Sequence, residues 1–186
     1  MEQEELLFRI GNTLNKLKIP YIITGGIAVV VWGRPRFTAD IDIVIELVPQ
    51  KLDEIFEELR KIDKDSYVDK KMIQDALARG GEFNFIHPSS GVKVDFWILK
   101  DELFDKSRIK RRIPKIIAGK KLYFCSPEDL VLIKLQWYEK TKSTRQLEDI
   151  ESIIAIQKKL DWKYIKRWAK IQATEKFLNF VLNKTK

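Results

Sequence analysis

The sequence predicts an α/β module over residues 1–125 followed by a helical module over residues 126–186. Three observations carry that expectation. Up to Cys125, short apolar runs such as "YIIT" and "DIDIVIEL" alternate with segments of helical periodicity. From Ser126 onward only helical periodicity remains. No repeat, low-complexity tract or Pro/Gly/Ser-rich linker divides the two parts, so the helical part is expected to pack on the first. A chain of 186 residues, 45% hydrophobic, is long enough for one core with such an appendage.

Taken in order, Leu6, Leu7, Ile10, Leu14 and Leu17 share a helical face over residues 3–17, and Pro20 stops that helix. "YIIT" reads as a buried strand broken by Gly25-Gly26. "IAVVVWG" is rich in β-branched residues and is ambiguous between strand and helix. A short buried helix is preferred because a strand-turn-helix unit needs one there. Gly33 and Pro35 mark a loop, and "DIDIVIEL" alternates and then turns apolar on both faces, as a central strand does. Pro49 opens a helix over about 50–62, and a second runs over about 69–79 to Gly80-Gly81. "EFNFIH" and "VKVDFWIL" are strands joined by the turn-forming "PSSG". "RRIPKIIAGKKLYFC" reads as a second hairpin turning at Gly119. In "SPED", serine supplies an N-cap, proline the first helical residue and aspartate the third, a helix start. Helices are expected over about 127–141, 144–159, 162–170 and 173–183.

The net charge of +8 leans towards anionic partners, although lysine-rich surfaces also serve solubility, and high Lys, Glu and Ile content fits a thermophile. The single cysteine, Cys125, excludes an intrachain disulfide and a zinc cluster, and its apolar neighbours suggest a buried inert thiol. The N-terminus is acidic and amphipathic, so no secretory signal is expected. No apolar run approaches membrane-spanning length, so no membrane partner is expected and the location expected is cytoplasmic. His87 beside Pro88 at a turn reads as a surface or hairpin residue rather than a catalytic base. "KSRIKRR" at 106–112 has two readings, an RNA backbone contact or, more commonly for such runs, a solvated basic loop. Trp137, Tyr138, Trp162 and Trp168 are spaced for packing between helices.

Asp40 and Asp42 are the residues that ask for chemistry. Side chains two apart on a strand share a face, and two ionised carboxylates that close repel unless a cation intervenes. Oxygen ligands suit Mg²⁺ or Mn²⁺, which complete their shell with water and substrate phosphates. The plainer reading is a charged strand end beside Arg34 or Arg36. Asp95 places a further carboxylate in an apolar strand, on the same face as Lys93 and Trp97. On neighbouring strands the three acids would make a site for one or two metals; alternatively Asp95 simply pairs with Lys93 or an arginine. Gly25-Gly26, between strand and helix, lets backbone N–H groups approach a phosphate.

The order Gly25-Gly26, apolar helix, Asp40-Ile41-Asp42 and a later strand with Asp95 resembles the nucleotidyltransferase superfamily of DNA polymerase β, kanamycin nucleotidyltransferase and the CCA-adding enzymes. The resemblance covers roughly the first hundred residues. It implies a nucleotidyltransferase-type mixed β-sheet flanked by helices, with Gly25 and Gly26 seating a nucleoside triphosphate and Asp40, Asp42 and Asp95 binding two divalent metals. Where that family often has Gly-Ser, this chain has Gly25-Gly26. A narrower resemblance joins "GGIAVVVWGRPRFTADIDIVI" and "SPEDLVLIKLQWYEKTKSTRQLEDIESI" to small prokaryotic proteins related to the AbiE-type toxins. It implies nucleotide-site roles for Arg36, Lys134, Arg145 and Asp149, although Glu148-Asp149 stands where those toxins often show Arg-Asp. Lys134 interrupts an apolar helix, so it either faces an anion such as a phosphate or snorkels at the helix edge. The function expected is metal-dependent transfer of a nucleoside monophosphate to a hydroxyl acceptor, with RNA (tRNA), protein and small molecules all open. The alternative is a catalytically silent nucleotide- or RNA-binding module, such as one component of a toxin–antitoxin pair.

Overall fold

Helix α1 (Gln3–Lys16) buries Leu6, Leu7, Ile10 and Leu14 on one face, as their spacing requires. Lys18, at φ +55°, turns the chain out of the helix, and Pro20 leads into β1 (Tyr21–Thr24), buried at every residue. Helix α2 (Gly25–Trp32) follows with no intervening loop, which settles the strand-or-helix ambiguity of "IAVVVW" in favour of the helix. The computed structural model describes residues 2–184.

Strand β2 (Ile41–Ile45) returns antiparallel to β1. A 3-10 turn at Pro49–Lys51 then leads into α3 (Leu52–Arg60). Helix α4 (Lys70–Arg79) is capped by the Asp69 carboxylate, which accepts from the Lys71 and Met72 backbone N–H groups. It ends at Gly80, whose φ of +63° is a left-handed helix stop. Strands β3 (Glu82–His87) and β4 (Val92–Ile98) form the expected hairpin, and β5 (Ile113–Ile117) and β6 (Lys120–Phe124) form the second.

These strands make one six-stranded sheet in the order β3-β4-β2-β1-β6-β5. It is mixed, because β2–β4 and β1–β6 are parallel pairs while the other three are antiparallel. One face carries the core: Ile41, Ile43 and Ile45 of β2, Val94 and Phe96 of β4, and Phe83 and Phe85 of β3. The Phe83 and Phe96 rings stack with centroids 4.8 Å apart. At about 25 cal/mol per Å² of apolar surface removed from water, this face is a main source of the sheet's stability.

One element departs from expectation. The run read as a basic loop at 106–112 is largely helical: α5 (Leu103–Lys110) contains most of it. Phe104 and Ile109 are buried, and the buried Asp105 carboxylate accepts from the Lys100 backbone N–H (2.7 Å) and pairs with Arg108 (2.9 Å). Charged side chains hide this helix in the sequence because its anchors are few and one of them is an aspartate.

The chain divides into two compact units. The first runs to Ile27 and resumes over Phe37–Phe124; the second comprises Ala28–Arg36 and the chain from Cys125 onward. In the second unit, α6 (Pro127–Thr141) starts at Ser126, whose hydroxyl oxygen accepts from the Asp129 N–H and donates to the Asp129 carboxylate. Helices α7 (Thr144–Ile156), α8 (Trp162–Ile171) and α9 (Glu175–Lys184) pack with it. Cys125 is fully buried, as its apolar neighbours suggest. Trp168 is buried and Tyr138 meets Phe177 edge-on, whereas Trp137 is 41% exposed.

Candidate active site

Strand register sets two of the three predicted acids of the first unit, Asp42 and Asp95, side by side. Thr24 of β1 stands opposite Asp42 of β2, Asp42 opposite Asp95 of β4, and Asp95 opposite Asn84 of β3. Residues directly opposite on paired strands point to the same side. Four polar side chains therefore cross four strands in one row, on the face opposite Ile43 and Phe96. Asp40 precedes β2 by one residue, in a loop whose Thr38 and Ala39 carbonyls accept bonds from the Gln3 side chain at 3.0 and 2.9 Å.

The two glycines are held by close approach as well as by their turn. Gly25 has φ +60°, and a Cβ placed on it would overlap the Asp42 carboxylate. A Cβ on Gly26 would overlap the Thr38 hydroxyl. The backbone at the start of α2 is thus bare on the side that faces Asp42, and only hydrogen atoms fit there. Such a helix start carries the positive end of the helix dipole.

Asp95 is buried and fully engaged. Lys93 on the same strand face reaches one of its oxygens at 2.8 Å, and the Asn84 side-chain amide donates to the other. The structure therefore forms the Lys93–Asp95 pair that the sequence allowed. Bonding to Asp95, with the further charges of Asp40 and Glu82, holds the Lys93 ammonium above its ordinary pKa against the opposing effect of partial burial. Glu82 is a fourth acid that sequence reasoning missed. Partial desolvation, then the Asp95 and Asp42 charges, push its carboxyl up, partly offset by Lys93. The alternation in "EFNFIH" puts Glu82 and Asn84 on one face, but their place beside Asp95 depends on the β3–β4 register. Among the described residues, no three His, Cys, Asp or Glu side chains converge tightly enough to hold a metal ion.

Two of these residues have the chemistry that holds a hard divalent cation. Asp42 and Asp95 are carboxylates at matched register on adjacent strands beside a bare helix start, and Mg²⁺ commonly takes one or two protein carboxylates and fills its shell from phosphates and water.

The second unit gathers three of the four remaining predicted residues. Arg36 grips Asp149 of α7 with two bonds, 2.7 and 2.8 Å, and Lys134 of α6 reaches the same carboxylate at 2.9 Å. Asp149 and Lys134 are buried. The anion that the inward lysine needs is supplied by Asp149. Burial pushes the Asp149 carboxyl up, but the bonds from Arg36 and Lys134 prevail and hold it below the usual carboxylate value. Arg145 lies exposed in the first turn of α7. The Arg34 backbone N–H donates to the Ser152 hydroxyl at 2.5 Å, fixing the residues that lead to Arg36. His87 is a buried hairpin residue bonded to Ser90 and Asp63.

A family model described as "Nucleotidyltransferase of unknown function (DUF6036)" matches residues 3–183. The chain belongs to that family. Solved structures resemble this nucleotidyltransferase family member over most of its length. An antigenic nucleotidyltransferase-like protein from Paracoccidioides brasiliensis is 18% identical, with a TM-score of 0.58 over 97% of this chain and 91% of its own. ANT(2″)-Ia, solved in complex with adenylyl-2″-tobramycin, is 14% identical, with a TM-score of 0.64 over 94% of this chain and 98% of its own. The lincosamide antibiotic adenylyltransferase LnuA, solved with lincomycin bound, is 17% identical, with a TM-score of 0.54 over 84% and 99%. At these identities the likeness is one of fold, and the fold is that of the nucleotidyltransferase superfamily. No curated protein matches the sequence.

Proposed function

We propose that this chain transfers a nucleoside monophosphate from a nucleoside triphosphate to a hydroxyl acceptor. The observation that carries the reading is the Asp42–Asp95 register pair, with Asp42 packed against the bare backbone of Gly25, in a chain of nucleotidyltransferase family. The N–H groups beginning at Gly25 and Gly26 seat the triphosphate. Asp40, Asp42 and Asp95 would hold Mg²⁺ or Mn²⁺, which when bound neutralises phosphate charge and aligns the incoming and leaving oxygens. Asp95 helps to activate the acceptor hydroxyl. The hydroxyl oxygen bonds to the α-phosphorus and gives its proton to Asp95, as the bond to the leaving pyrophosphate breaks. In the second unit, Arg36 and Lys134 are two cations sharing one carboxylate, an excess of positive charge that suits them to nucleotide phosphate, with Arg145 as a further contact and Asp149 as their anchor.

A second reading, a catalytically silent nucleotide or RNA binder, draws support from Lys93 sitting on Asp95. Thermal unfolding with each nucleoside triphosphate, with and without Mg²⁺, separates the two. Transferase function predicts stabilisation that needs Mg²⁺ and disappears in Asp40→Ala. Stabilisation by RNA alone, indifferent to the aspartates, would instead support the silent binder.

A further inference from the structure

We propose that Lys93 is a resident counter-ion of the carboxylate site that opposes a divalent metal, so that a bare metal ion binds weakly there. This inference rests on the transferase reading of the same site. Lys93 lies two residues before Asp95 on one strand, so both side chains leave the same face of β4. The ammonium stands 2.8 Å from one Asp95 oxygen, while the Asn84 amide occupies the other. Both oxygens of that carboxylate therefore already carry a donor before any metal arrives.

A divalent cation on that oxygen would stand close to the ammonium, and the repulsion between like charges that close opposes metal binding. A bare metal ion must either bind beside the ammonium or push it aside into solvent. A metal arriving with a triphosphate brings anionic oxygens to which the displaced ammonium can turn. The lysine is free to make that move: its side chain is 40% exposed, against 11% for Asp95, so it can leave for solvent while the carboxylate stays fixed by Asn84.

The test is Mn²⁺ binding in the absence of nucleotide, followed by electron paramagnetic resonance of the free ion. Lys93→Met should bind Mn²⁺ at least about tenfold tighter than the unaltered chain, and Lys93→Arg, which keeps the charge, should bind it like the unaltered chain. Asp42→Asn placed on Lys93→Met should remove the gain. A general loss of packing would weaken binding, so a tighter site is a readout that structural damage does not imitate. Lys93→Gln serves the same comparison if the methionine variant fails to fold. Equal affinity in Lys93→Met and the unaltered chain, with Asp42→Asn weakening both, overturns the counter-ion role and leaves the transferase site standing. Mn²⁺ binding indifferent to Asp42 overturns both.

Discussion

Gly25 answers two demands at once, a left-handed backbone at φ +60° and the close approach of the Asp42 carboxylate. Either would disfavour a side chain; together they tie the start of α2 to the acid on the next strand. Gly25→Ala should cost about 1–3 kcal/mol of stability from backbone strain, read from the urea midpoint, with further loss from the displaced Asp42. An alanine variant as stable as the unaltered chain would contradict the packing described. Much of this site was legible at the residue scale. Gly25, Gly26, Asp42 and Asp95 are recognisable because carboxylates and paired glycines are out of place in apolar strands and helices. Glu82 and Asn84 were not, because a polar residue in an alternating edge strand is ordinary, and only the pairing register gives it a neighbour.

Among the elements, α6, α7 and the segment that precedes Asp40 meet at one carboxylate. Asp149 accepts from Arg36 and Lys134, and with its side chain 2% exposed it has little access to water as a substitute partner. Asp149→Asn should therefore cost about 3–5 kcal/mol, because it leaves two cations around a neutral group. The native carboxyl titrates below its ordinary value near 3.8, so its contribution is present above that value and is lost as pH falls through the native one. Urea unfolding of both proteins across the acid range should show their gap closing at low pH. A gap independent of pH would contradict the role given to the charge. Element boundaries were readable where caps and breakers are explicit, as at Ser126-Pro127 and Gly80. They failed at α5, where Phe104, Asp105 and Ile109 do the anchoring within a run of basic residues. Helix α2 was ambiguous on propensity, and only the need for a helix after the glycines decided it.

For the whole molecule, the strand order β3-β4-β2-β1-β6-β5 could not be read from chain order, because two of its five pairings are parallel and join strands distant in sequence. That order is what sets Asp95 beside Asp42. The grouping of Ala28–Arg36 with the later helices is likewise invisible to sequence adjacency, since it depends on bonds such as that from Gln157 to the Trp32 carbonyl. The central claim, nucleotidyl transfer at these carboxylates, is tested most directly with nucleoside triphosphates labelled at the α-phosphate. They are incubated with Mg²⁺, the chain, and RNA, protein and small hydroxyl-bearing acceptors. The account predicts that the α-label becomes attached to an acceptor, that unlabelled pyrophosphate is released, and that Asp42→Asn abolishes both. Label transfer that proceeds equally in Asp42→Asn, or no transfer to any acceptor class, would contradict it.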